Sequence, residues 1–132
     1  EVESRYLLQP IPFSVRVYRL PDLFAGKIHA LLCRRWGSRV KGRDWYDFAW
    51  YVGRGTPVGL RHLESRLRQS GEYASPGPLS VPHLSQMLSE AIDRLDVDKA
   101  REEARRFVGD PQSLAVWSAD FFRDVASRMQ TV

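Results

Sequence analysis

Lys27, Asp44 and Asp47 are the residues of this 132-residue chain best suited to chemistry on phosphates. An ammonium is a compact point charge that meets phosphate oxygens well. Held near two carboxylates, it stays charged and fixed in position. A carboxylate beside it can hold the lysine, a metal or a ribose hydroxyl. Asp44 and Asp47 are three residues apart, so on a helix they point the same way. Arg43 and Asp47 are four apart and can pair. Between Lys27 and this group run Arg34, Arg35, Arg39, Lys41 and Arg43, five cations in ten residues with no acid among them. A basic loop of this kind suits the phosphates of a nucleic acid. The same residues also admit plainer roles. Lys27 can be a snorkelling surface lysine, Asp44 a helix cap, and the basic loop a solvated turn. An exposed Arg43–Asp47 pair would contribute only roughly 0.2–0.5 kcal/mol.

The elements that must position these residues are mostly helical. Phe13 to Leu20 alternates apolar and polar residues, a strand signature with Phe13, Val15 and Val17 on one face. Pro10 and Pro12 make the preceding stretch an extended lead-in. Pro21-Asp22 opens a first helix, which runs to about Arg35 with Phe24, Ile28, Leu31 and Leu32 as its apolar stripe. Lys27 lies on the flank of that stripe. Gly37 to Gly42 is the basic loop, and a second helix from Arg43 or Asp44 stops before Gly53. The 17 residues from Lys27 to Asp44 suit two antiparallel helices with a loop between. Trp45, Phe48 and Trp50 cannot share one helix face, so some of them pack in the core.

Thr56-Pro57 reads as the cap and first turn of a third helix that ends near Gln69. A turn-rich linker covers residues 71–79. Ser80 caps a fourth helix, 81–95, and Asp96 caps a fifth, 97–108. Ser113 caps a sixth that runs to about Met129, burying Leu114, Trp117, Phe121 and Val125. The expected architecture is one mainly α domain over residues 1–132, a bundle of about six helices with one N-terminal strand. A lone strand must pair with something. Since the sequence also opens on Glu1 and not Met, the chain is expected to be a fragment whose sheet partner lies in another chain or a missing N-terminal part.

Composition narrows the class. Hydrophobic residues make up 43% and charged residues 27%, close to globular averages, which argues against wholesale disorder. Cys33 is the only cysteine, so no disulfide framework exists within the chain. With His29, His62 and His83 scattered, there is no zinc-ligand spacing. No apolar run approaches the roughly 20 residues of a membrane helix, and the acidic start is no signal peptide. A reduced, cytoplasmic protein with no membrane partner is the expectation. The net charge of +4 is uneven: residues 1–70 carry net +7 and residues 71–132 net −3. That asymmetry hints at a polyanionic partner on one side.

Leu23-Phe24-Ala25-Gly26-Lys27-Ile28-His29-Ala30-Leu31-Leu32, a following Arg34 or Arg35, and then Lys41-Gly42-Arg43-Asp44-Trp45-Tyr46-Asp47 resemble the AbiEii/AbiGii toxin family of nucleotidyltransferase-like proteins. That family carries Lys-x-x-Ala-Leu, a nearby Arg and then Arg-Asp-x-x-Asp. The tail, Arg106-Phe107-Val108-Gly109-Asp110-Pro111 with Trp117 and Phe121, is loosely similar.

The resemblance implies the C-terminal part of a nucleotidyltransferase-type α/β fold. In the full-length protein it implies transfer of a nucleotide from an NTP to an RNA such as tRNA. Lys27 and Asp44 would be catalytic, the first touching the triphosphate and the second positioning or deprotonating the acceptor. Arg43 and Asp47 would be supporting residues. A cognate antitoxin in a bacterial or phage-defence (abortive infection) operon is the implied partner. The family's Mg²⁺ is held by an Asp-x-Asp pair after a Gly-Ser turn in the N-terminal half. Here Gly37-Ser38 follows Lys27, in the wrong order, and Asp96-Val97-Asp98 opens a late helix. No metal site, bound Mg²⁺ or bound NTP is therefore expected in this chain alone, and alone it is expected to be inactive. The alternative is a non-catalytic helical module. It would bind nucleic acid through Arg34, Arg35, Arg39 and Lys41, or proteins, with the ion network purely structural.

Overall fold

A computed structural model describes residues 2–6, 14–33 and 42–132. Two short strands, β1 (Val2–Tyr6) and β2 (Ser14–Tyr18), pair antiparallel, with Val2 opposite Tyr18 and Tyr6 opposite Ser14. The strand expected without a partner therefore finds one within the chain. β1 escapes a reading by pattern because only Val2 and Tyr6 of its five residues are strong strand formers.

Six α-helices follow among the described residues: α1 (Leu20–Cys33), α2 (Gly42–Gly53), α3 (Leu60–Gln69), α4 (Val81–Arg94), α5 (Val97–Ala104) and α6 (Ala119–Ser127). No helix among them is long and apolar enough to cross a membrane. α1 is central and packs against α2, α3 and α4, while α2 also meets α5 and α6. One cluster of buried side chains runs through these contacts, with Phe24, Ile28, Phe48, Leu63, Leu88 and Phe122 inside it.

The expected caps of α4 and α5 are present. Ser80 accepts a hydrogen bond from the His83 N–H, and Asp96 accepts one from Lys99. The fifth helix ends at Ala104 and not at 108, the chain turning at Arg105–Phe107. Two other boundaries differ. The third helix starts at Leu60 behind Gly59, not at Thr56-Pro57. Residues 56–59 are committed elsewhere. The Thr56 N–H donates to the Tyr51 carbonyl, and Val58 exchanges backbone bonds with Gln130 and Val132. Gly59 donates to the Pro21 carbonyl, and a Cβ there would lie 2.6 Å from Asp22 Oδ1. Only glycine lets α3 begin so close to the start of α1.

The last expected helix is two pieces. Asp110 caps a short 3-10 turn, Pro111–Leu114, and Ser118 caps α6. Arg101 holds the break open by donating to the carbonyls of Leu114 and Trp117, which a continuous helix would have used itself. The break resets the helical phase, so Phe122 is fully buried and Phe121 only half-buried.

α2 is placed by its first residue. The Gly42 N–H donates to Glu103 Oε1 at 2.9 Å, and a Cβ on Gly42 would run into the Ala100 carbonyl oxygen of α5. Ala100 and Ala104 are both fully buried there. Backbone-to-backbone contact of this kind cannot relax by a rotamer change. Gly42→Ala is expected to lower the free energy of unfolding by roughly 1–3 kcal/mol, read from urea denaturation. An unchanged midpoint would show that α2 does not sit flush on α5.

Candidate functional site

α1 and α2 run antiparallel, because Lys27 meets Asp47 while Phe24, one turn earlier, meets Tyr51, one turn later. Phe24 stacks on Tyr51 with ring centroids 4.8 Å apart and also lies against Phe48 at 6.2 Å. Such aromatic pairs contribute about 0.5–1.5 kcal/mol beyond their buried area. This aromatic layer fixes the two helices side by side and brings their charged edges together above it.

At that edge Lys27 Nζ lies 3.2 Å from Asp47 Oδ2. The lysine side chain is 44% exposed and the aspartate only 18%. The carboxylate is thus the anchor, and the ammonium remains open to a ligand. Asp44 lies one turn earlier on α2 and is half-buried. Residues three apart on a helix have Cβ atoms about 5–6 Å from one another, so Asp44 is the helical neighbour of Asp47. The structure therefore brings Lys27 and Asp47 together, with Asp44 one turn away on α2.

Arg43 takes a different place from the i,i+4 pair the sequence allows. Its guanidinium lies 5.1 Å from the centroid of the Phe107 ring, which Tyr46 also meets edge-on. The stretch after α5 thereby closes over the start of α2, a contact with no local signal in the sequence. Arg34, Arg35, Arg39 and Lys41 lie outside the described residues.

A divalent metal has no cradle here. Among the described residues no group of three or more His, Cys, Asp or Glu side chains could hold one. Asp47 already holds Lys27. The residues described do not fit Mg²⁺, and the chemistry proposed below uses none held by them.

A second polar concavity was not anticipated. About 360 Å³ of space lies where α1 and α3 begin, lined by Arg19, Asp22, Arg61 and His62 among others. Asp22 is buried in the first turn of α1, where a negative charge suits the helix N-terminus. Arg66 Nε donates to His62 Nε2 at 3.0 Å, so the imidazole accepts there as the neutral form with its proton on Nδ1. Burial pushes the His62 pKa down, Asp22 opposes this, and the Arg66 cation reinforces it. Burial, aided by Arg66, likewise lowers His29, whose Nε2 lies 3.1 Å from Ser70 Oγ. The missed signal was tertiary: these residues are scattered in sequence and meet only because Gly59 abuts α1.

The chain that carries this edge matches a known family. The nucleotidyl transferase AbiEii toxin family, of type IV toxin–antitoxin systems, matches residues 1–125. The chain belongs to that family, and membership implies an antitoxin partner. No curated protein and no solved structure matches the chain.

Two measurements follow. Asp47→Asn should cost less than about 1 kcal/mol of stability, because the pair is half in water. A larger loss in a thermal melt would make the pair a structural element first. The histidines give a pH effect of definite sign. Unfolded, each binds a proton near 6.5; folded, each stays neutral to lower pH. The unfolded state takes up more protons in that window, so stability falls as pH drops through 6.5 and levels off below the folded values. Denaturant melts between pH 7 and 5.5 should show this fall, and the double variant His29→Gln/His62→Gln should flatten it.

Proposed function

We propose that this chain supplies the lysine- and acid-bearing half of a nucleotidyltransferase toxin that transfers a nucleotide from an NTP to an RNA such as tRNA. The observation that carries this reading is the Lys27–Asp47 pair on the open edge of α1 and α2, with Asp44 a turn away, in a chain of the AbiEii family. Supporting it, the cations of residues 34–43 adjoin both helices in sequence and suit a polyanionic acceptor.

The roles follow from the chemistry. An acceptor hydroxyl attacks the α-phosphorus of the NTP, a new P–O bond forms, the α–β bridge breaks and pyrophosphate leaves. Lys27 contacts the triphosphate and offsets the charge that grows on the departing pyrophosphate. Asp44 accepts the hydroxyl proton or aligns the hydroxyl for attack. Asp47 holds the lysine in place, and Arg43 ties the start of α2 to Phe107. The Asp-x-Asp pair for Mg²⁺ is absent from this sequence at a fitting position, so the reading assigns it to a preceding half of the same protein.

In that full-length protein, Lys27→Ala and Asp44→Ala should each cut transfer of α-labelled nucleotide into an RNA pool by about 100-fold or more, with far-UV circular dichroism unchanged. Wild-type transfer by either variant would refute its assignment.

A further inference from the structure

Trp50 lies on α2 one turn beyond Asp47, on the edge that carries the ion pair, and 46% of its surface is open to water. Its helix mates Trp45 and Phe48 are buried, so the core has taken the aromatics it needs and left this one out. The indole is nevertheless held. The Arg54 guanidinium lies 4.6 Å from its centroid, and Tyr51, itself fixed by Phe24, meets it edge-on at 5.1 Å.

The antiparallel pairing of α1 and α2 brings two more exposed apolar residues to the same end. Lys27 opposite Asp47 and Phe24 opposite Tyr51 put Leu23 and Leu20 at the end of α1 that runs alongside the Trp50–Arg54 end of α2. Leu23 and Leu20 are 40% and 45% exposed. Exposed apolar side chains and cations therefore share this end of the helix pair. A flat indole backed by a guanidinium, next to a lysine, is complementary to an aromatic ring joined to a phosphate.

We propose that Trp50, set by Arg54 and Tyr51, is the stacking platform for the base of the nucleotide whose phosphates Lys27 meets. This rests on the nucleotidyltransferase reading and adds the base subsite to it. The offset of about one helical turn, roughly 5 Å along α2, leaves the ribose between the platform and the ion pair. Stacking of this kind tolerates every base, because every base has a π face. The platform therefore supplies affinity for nucleosides over bare phosphate chains more than choice among bases. Trp50 is a binding and positioning residue, and no step of the transfer passes through it.

The test compares ATP with inorganic tripolyphosphate as ligands of the purified full-length protein, in the presence of Mg²⁺, by calorimetry, for wild type, Trp50→Phe, Trp50→Ala and Lys27→Ala. Trp50→Ala should weaken ATP by about tenfold or more and leave tripolyphosphate unchanged. Trp50→Phe should keep most of the ATP affinity, and Lys27→Ala should weaken both ligands. An unchanged ATP-to-tripolyphosphate ratio in Trp50→Ala overturns the platform while leaving the role of Lys27 intact. Equal weakening of both ligands by Trp50→Ala overturns it as well, since a stacking residue touches only the base. If Trp50→Ala weakens a single-stranded RNA oligonucleotide and spares ATP, the assignment to the donor base is wrong. Failure of the wild-type full-length protein to bind either ligand sinks the nucleotidyltransferase reading first and the platform with it.

Discussion

The aromatic layer of Phe24, Tyr51 and Phe48 is the constraint on which the charged edge depends. Phe24 is fully buried and stacks on Tyr51, which fixes α1 and α2 in both direction and register. Once those rings are in contact, Lys27 and Asp47 have no choice but to face each other one turn away. A surface ion pair alone could not do this, being worth at most about 1 kcal/mol and weaker still in salt. The order of causes is therefore apolar packing first and charge placement second.

A second constraint acts along the axis of α2. Gly42 on Ala100 and Glu103 sets where the helix begins, and so how far Asp44, Asp47 and Trp50 lie along α1. The tail helices thus have a function that their sequence does not advertise. α5 seats the start of α2, Phe107 covers Arg43, and Arg101 ties α5 to the Leu114–Trp117 joint. The acidic half of the chain builds the base on which α2, with Asp44 and Asp47, is seated.

The sequence made much of this legible, for reasons that are local. Apolar residues at a 3.6-residue period marked the helices, and side-chain oxygens three residues ahead of backbone donors marked the caps at Ser80 and Asp96. Lys27, Asp44 and Asp47 stood out by residue type and spacing, and the family match over residues 1–125 agrees with the resemblance that spacing carries. What stayed hidden depends on distant partners. Thr56-Pro57 looks like a helix start, but its backbone is bound to Tyr51 and, through Val58, to the chain around 130–132. Phe122 takes the buried place expected of Phe121 because Arg101, from another helix, holds a break in the spiral ahead of both, at Leu114–Trp117. The concavity at His62 exists only because Gly59 approaches Asp22.

The central claim is that the Lys27 ammonium, held by Asp47, is the group that meets the triphosphate. In a ¹³C,¹⁵N-lysine-labelled sample of the full-length protein, the Lys27 and Lys99 side-chain signals can be assigned by their loss in Lys27→Arg and Lys99→Arg. The account predicts that titration with an NTP moves the Lys27 Cε and Nζ resonances along a saturating curve and leaves those of Lys99 in place. An NTP that binds, as judged by its own phosphorus signals, while Lys27 stays unmoved would contradict it.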